Sequence, residues 1–177
     1  MSLETRLPPY VRYDTTLPVV VPHDFSREKA IKALKCDRPC FLGKFPEVKL
    51  LPGPREIHLI HPSESKSLGE VLQILSSERT MRLEPLETAL ILAAQHRRYE
   101  IEFGVAFLAF LWSEGEKVNT TFFPYLSSGN GRHALHLRSD QRKLHSGWQI
   151  AVSSAVSAEK EVTGTEWIQK PLQPAAA

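Results

Sequence analysis

The segment from Arg132 to His145 gathers the residues best able to grip an anion. It holds Arg132, Arg138, Arg142 and Lys143 against one acid, Asp140, with His133, His136 and His145 among them. In an extended strand alternate side chains share a face. Arg132, Ala134, His136 and Arg138 then point one way, and His133, Leu135 and Leu137 the other. Guanidinium groups bind carboxylate or phosphate oxygens through paired hydrogen bonds, so the first face suits a phosphate or an acidic partner. Arg142 and Lys143 would extend it, and Arg97 and Arg98 could join it. The plainer reading is a solvated sheet face, or an edge protected by charge, which is what a basic cluster without a motif usually means. Sheets that bind nucleic acid add exposed aromatic platforms. Phe122, Phe123 and Tyr125 are close in sequence, and Phe123 and Tyr125 would share one face, although they could equally be core.

Other residue sets carry less. Cys36 and Cys40, with His58 and His61, could be assembled into four zinc ligands. A strand would place the two histidines on opposite faces, and Pro39 stiffens the loop between the cysteines, so no metal is expected. Ser63 and Lys66 have the Ser-x-x-Lys spacing of a serine nucleophile and its base. They precede a helix cap instead of riding on a helix, and the companion motifs are missing. No phosphate loop, dinucleotide fingerprint, nucleophile elbow or His-Glu-x-x-His occurs. The four aspartates form no evident carboxylate pair in sequence, which leaves pairing in space open; the catalytic residues, if any, stay unassigned, and no cofactor is expected.

Charge and length narrow the classes further. The 177 residues carry a net charge of +2, too little to argue for nucleic acid without local clustering. That length suits one domain able to build its own core without disulfides. The N-terminus shows no secretory pattern, and the longest apolar run, 105–112, is too short to cross a bilayer as a helix. A cytoplasmic location without membrane contact is the resulting expectation, and the sequon Asn119-Thr120-Thr121 is then idle.

These residues must be positioned by an α+β fold. Nine of the thirteen prolines lie in the first 62 residues, so 1–54 reads as a coil-rich segment with one short helix. That helix would start at Ser26, after a short extended stretch over 17–21. An α+β core should span 55–155, and 156–177 reads as a tail. Within the core, 56–60 reads as a strand. Ser67 and Glu70 make a capping box for a helix over 67–78, with Leu68, Val71, Leu72 and Leu75 on one side. Pro85 opens a second helix, over 85–97. From Gly104 the apolar period falls from 3.6 to 2. Four consecutive antiparallel strands are predicted, over 105–112, 118–123, 132–138 and 147–154, with both helices packed on one face. Pro124 should end the second strand, and Asn130-Gly131 should turn a hairpin. The expected core unites Leu72, Leu75, Leu90, Phe107, Ala109, Leu135, Leu137 and Ile150.

Residues 83–152 also show a recurring order. A helix ends in Ala93-Ala94-Gln95-His96, then Val105-Ala106-Phe107-Leu108 leads to Trp112. After a turn come Phe123-Pro124-Tyr125-Leu126, Gly131-Arg132, Leu135-His136-Leu137 and Trp148-Gln149-Ile150-Ala151-Val152. This resembles a group of short, uncharacterised proteins recurrent in candidate-phylum bacteria, which share the leucine-rich helix, the Pro-Tyr-Leu-like step and the closing tryptophan strand. The chain departs from them at Ser153, where the group has a basic residue. The resemblance implies fold boundaries and transfers no activity. The functional expectation is therefore a non-catalytic binding or accessory domain whose partner is a protein or a polyanion. The alternatives are an RNA- or DNA-binding module using the basic strand face, and an enzyme with a dispersed site.

Overall fold

The computed structural model describes residues 7, 10–36, 39–78, 80–113, 120–139 and 143–154. The fold is α+β, and its sheet is larger than the four strands read from the sequence. Strand β1 (Val11–Val21) extends the stretch expected over 17–21 and pairs antiparallel with β3 (Gly53–Pro62) along almost its whole length. Helix α1 (Arg27–Ala33) starts at Ser26, whose hydroxyl accepts from the Lys29 N–H. A two-residue strand, β2 (Lys35–Cys36), and a 3-10 turn (Pro39–Lys44) follow.

Helix α2 (Leu68–Ser77) has the capping box: Ser67 Oγ accepts from the Glu70 N–H, and the Glu70 carboxylate accepts from the Ser67 N–H at 2.7 Å. Strand β4 (Met81–Leu83) leads to α3 (Leu86–Gln95), where Pro85 is the cap and not the first helical residue. The remaining strands are β5 (Gly104–Ala106), β6 (Trp112–Ser113), β7 (Thr121–Gly129), β8 (Arg132–Ser139) and β9 (Trp148–Ser154). The sheet runs β1-β3-β9-β5-β7-β8-β2, with β4 beside β9 and β6 beside β7. Most pairs are antiparallel; β5 with β9 and β2 with β8 are parallel.

Three expectations fail here for identifiable reasons. First, the last four strands are not a consecutive antiparallel set, because β9 inserts between β3 and β5 instead of joining β8. Its residues explain this: Trp148, Ile150 and Val152 are buried on one side and Ala151 on the other, so it needs cover on both faces. Second, the strand expected over 105–112 stops at Ala106, while β7 runs on through Pro124. Phe107 N–H donates to the Pro124 carbonyl at 3.0 Å, but proline has no N–H to return, so the β5–β7 ladder ends there. The β8 side of Pro124 keeps its register, opposite Leu137.

Third, the two long helices lie on opposite faces. Helix α3 packs with Leu17, Ile57, Leu59, Phe107, Leu126 and Leu135. Helix α2 packs with Ile60, Ala106, Phe123, Leu144, Trp148 and Ile150. The single expected core is therefore two: Leu90, Phe107 and Leu135 belong to the first, Leu75 and Ile150 to the second. Leu72, Ala109 and Leu137 are only half-buried. The Asn130-Gly131 turn is as expected, with φ of 53° and 69° at the two residues, as a two-residue hairpin requires.

Candidate functional site

The alternation read in β8 positions its side chains as expected. Ala134, His136 and Arg138 stand opposite Ser127, Tyr125 and Phe123 of β7, on the α2 side of the sheet. His136 and Arg138 on this face each meet a ring. His136 stacks on Tyr125 with centroids 5.1 Å apart, and its Nε2 lies 2.8 Å from Ser127 Oγ. The Arg138 guanidinium sits 4.5 Å from the centre of the Trp148 ring. Trp148 in turn meets Tyr125 edge-on at 5.0 Å and Phe123 at 6.3 Å. Gly104 allows this: a Cβ there would come within 2.4 Å of the Trp148 ring and 2.9 Å of Tyr125. Beside it, Phe103 is 46% exposed and meets His145 edge-on. Tyr125, His136 and Arg138 remain half-buried, because α2 covers the other end of this face, over β3 and β9.

The other residues of the predicted basic set separate. Lys143 is exposed near the start of α2. There the Glu70 carboxyl is held below its ordinary range, chiefly by hydrogen bonds from Ser67, with Lys66 and Lys143 adding attraction. Arg142 lies outside the described residues. Arg132 is exposed at the hairpin end and lines a different feature.

That feature is a cleft of about 480 Å³ between α1, α3 and the start of β8. Its walls are Ala30, Ala33, Leu34, Leu90, Ala93 and Ala94, and Arg97 and Arg132 line it as well. A second depression of about 820 Å³ adjoins it, sharing Arg97 and Gly131, and includes Arg98, Glu100 and Glu102. His133 touches the cleft but is committed elsewhere. Its Nε2 lies 2.8 Å from the His96 carbonyl, which requires an N–H, and its Nδ1 lies 3.1 Å from Ser128 Oγ. Ser128 Oγ also accepts from the Ile101 N–H, so the group ties the loop after α3 to the hairpin.

The weaker sequence candidates resolve structurally. His58 and His61 lie three residues apart in β3, on opposite faces. His58 Nδ1 is 2.8 Å from Thr16 Oγ1, which also meets the Tyr13 hydroxyl at 2.8 Å. Among the described residues no three of His, Cys, Asp and Glu gather as a metal site would require. Lys66 pairs with Glu64 at 2.8 Å, and that hydrogen bond raises its ammonium above the usual range, the reverse of what a general base needs. Two buried carboxylates serve the core. Glu84 meets Arg55 at 3.2 Å and accepts from the Thr88 hydroxyl, and Glu87 meets Arg27 at 3.2 Å.

No protein-family model, curated protein or solved structure matches the chain. Sequence reasoning found the basic side chains of the β8 face but missed Trp148 as the ring partner of Arg138, and Phe103 beside it. The legible signal was Gly104, a small residue opening an otherwise apolar strand. It missed the cleft, whose trace is the run of alanines on both α1 and α3.

Proposed function

We propose that the chain is a non-catalytic binding domain that takes a single-stranded nucleic acid on the open half of its α2-side face. Arg132, Arg138 and Lys143 would contact phosphates. Phe103 and the Tyr125–His136 pair would receive bases. The supporting observation is that basic side chains and rings share this face: His136 on Tyr125, Arg138 on Trp148, and an exposed Phe103 alongside. Strand binding without strong sequence preference combines a positive track with aromatic stacking, each stacked base contributing roughly 1–3 kcal/mol.

The test is fluorescence anisotropy with labelled oligo-dT and oligo-U. Affinity should fall as salt rises, with a logarithmic slope of about −0.7 per phosphate contacted. Arg132→Glu with Lys143→Glu should weaken binding severely. Both side chains are exposed, and surface substitutions of this kind usually change stability by only about 0.5 kcal/mol. Arg138 is a poorer choice for reversal because it packs on Trp148. Phe103→Ala should weaken binding and leave the salt slope unchanged. If neither oligonucleotide binds at about 50 mM salt, where phosphate contacts are strong, the reading falls and a protein partner takes its place.

A further inference from the structure

We infer that the cleft between α1, α3 and the β7–β8 hairpin is a binding site for a small amphiphile: one apolar chain ending in a carboxylate. This site lies on the α3 side of the sheet and shares with the nucleic-acid face only Arg132, at the hairpin end. Four alanines, Ala30 and Ala33 from α1 with Ala93 and Ala94 from α3, keep the two helices from filling the space between them. Leu34 and Leu90 complete an apolar wall. Protein interiors are close-packed, and a cleft of about 480 Å³ is of ligand size, within the roughly 300–1,000 Å³ of small-molecule sites. His133, the only imidazole on the cleft among the described residues, has both ring nitrogens engaged by the His96 carbonyl and Ser128 Oγ and offers an occupant nothing. The wall therefore selects hydrocarbon.

The charged residues select the head group. Arg97 and Arg132 line the cleft, and no acidic residue among the described residues does. Their charge complements a single anionic group on an occupant that enters chain first. A carboxylate fits better than a phosphate dianion for two reasons. Arg97 already gives its Nε–H to the Ala94 carbonyl, at 3.3 Å, leaving fewer donors. The adjoining depression, which shares Arg97, brings Glu100 and Glu102 close, and these would repel a second negative charge.

The experiment titrates the full 15N-labelled chain with decanoate, kept below the concentration at which it aggregates, and compares decanol and decyl phosphate. Saturable shifts are expected at residues 30–34, 90–97 and 131–133. Decanol and decyl phosphate should each bind about tenfold more weakly, as loss of one charge-assisted hydrogen bond would give. Arg97→Glu with Arg132→Glu should lower decanoate affinity by at least that factor. Ala94→Trp, at an exposed position, should fill the cleft and abolish binding. Absence of saturable binding by the wild type, or shifts centred on Phe103 and Trp148, would overturn the site. So would undiminished binding by a folded Ala94→Trp. Should that variant fail to fold, the wild-type shift map alone decides. Equal affinity for decanol would overturn the anionic head group.

Discussion

At the scale of single residues, the most exacting position is Gly104. Its missing side chain is what lets the Trp148 ring lie across β5 to reach Tyr125. Gly104→Ala should destabilise the fold by about 1–3 kcal/mol, the range for overpacking, because the obstacle is a packed ring and not a flexible chain end. Gly69, in the first turn of α2, has open space where a Cβ would stand, so Gly69→Ala should stabilise by about 0.4–1 kcal/mol. Urea unfolding of the two variants checks both signs. His58 gives a pH signature. Burial lowers its pKa below the ordinary imidazole value, although Glu56 and Glu84 oppose the shift. The unfolded chain then binds this proton more readily than the folded one, so stability rises with pH through the window. The contribution is complete above about pH 6.5, the value for a free imidazole, and is lost as pH falls toward the lower folded value. His58→Gln should flatten that part of the stability profile; an unchanged slope would show that another group sets it. The residues of β8 were legible because period-2 alternation assigns faces without any knowledge of neighbours. Their ring partners were not, since Trp148 reaches Arg138 only through a sheet order that local spacing does not encode.

Among the elements, helices were read well and strands poorly, and one physical difference accounts for it. The limits of α2 are set within its own sequence by the Ser67–Glu70 box, so removing the cap should act locally. Ser67→Ala should cost about 1 kcal/mol. A strand's limits depend on its partner, as β5 shows: of the eight-residue apolar run 105–112 only Val105 and Ala106 stay in it, because the residue opposite Phe107 is a proline. The faces of the sheet were misjudged for a related reason. Both helices were expected on one face, yet in β3 Ile57 and Leu59 face α3 while Ile60 faces α2. Leu90→Ala and Leu75→Ala therefore probe separate cores. Each should cost about 2–5 kcal/mol by denaturant midpoint. The double variant should be close to additive, since distant sites without shared partners rarely couple.

For the whole molecule, the decisive feature is that the last described strand lies near the middle of the sheet. Strands β1 and β3 form one half and β5, β7, β8 and β2 the other; among the described strands β9 alone joins them, pairing antiparallel with β3 and parallel with β5. The α+β class, the hairpin and the existence of β9 were all legible, because each follows from local period and turn chemistry. The position of β9 was not, because the sequence marks it only by burial on two faces, which Ala151 signals weakly beside Ile150 and Val152. The same strand supplies Trp148, so the candidate nucleic-acid face and the union of the two halves depend on one segment. A chain ended after Gly147 should consequently lose more than seven residues of pairing. It would expose Leu59 and Ile60 on one new edge and Val105 and Ala106 on the other, all fully buried in the intact fold. Two unpaired edges bearing apolar side chains invite association in place of folding. The expected result is loss of the cooperative urea transition followed by circular dichroism, together with concentration-dependent association. Adding the peptide of residues 148–154 in trans should restore part of the transition, because the missing pairing partners would be supplied. A truncated chain that unfolds cooperatively at the full-length midpoint would show that the halves hold together through the helices, and that β9 is not what joins them.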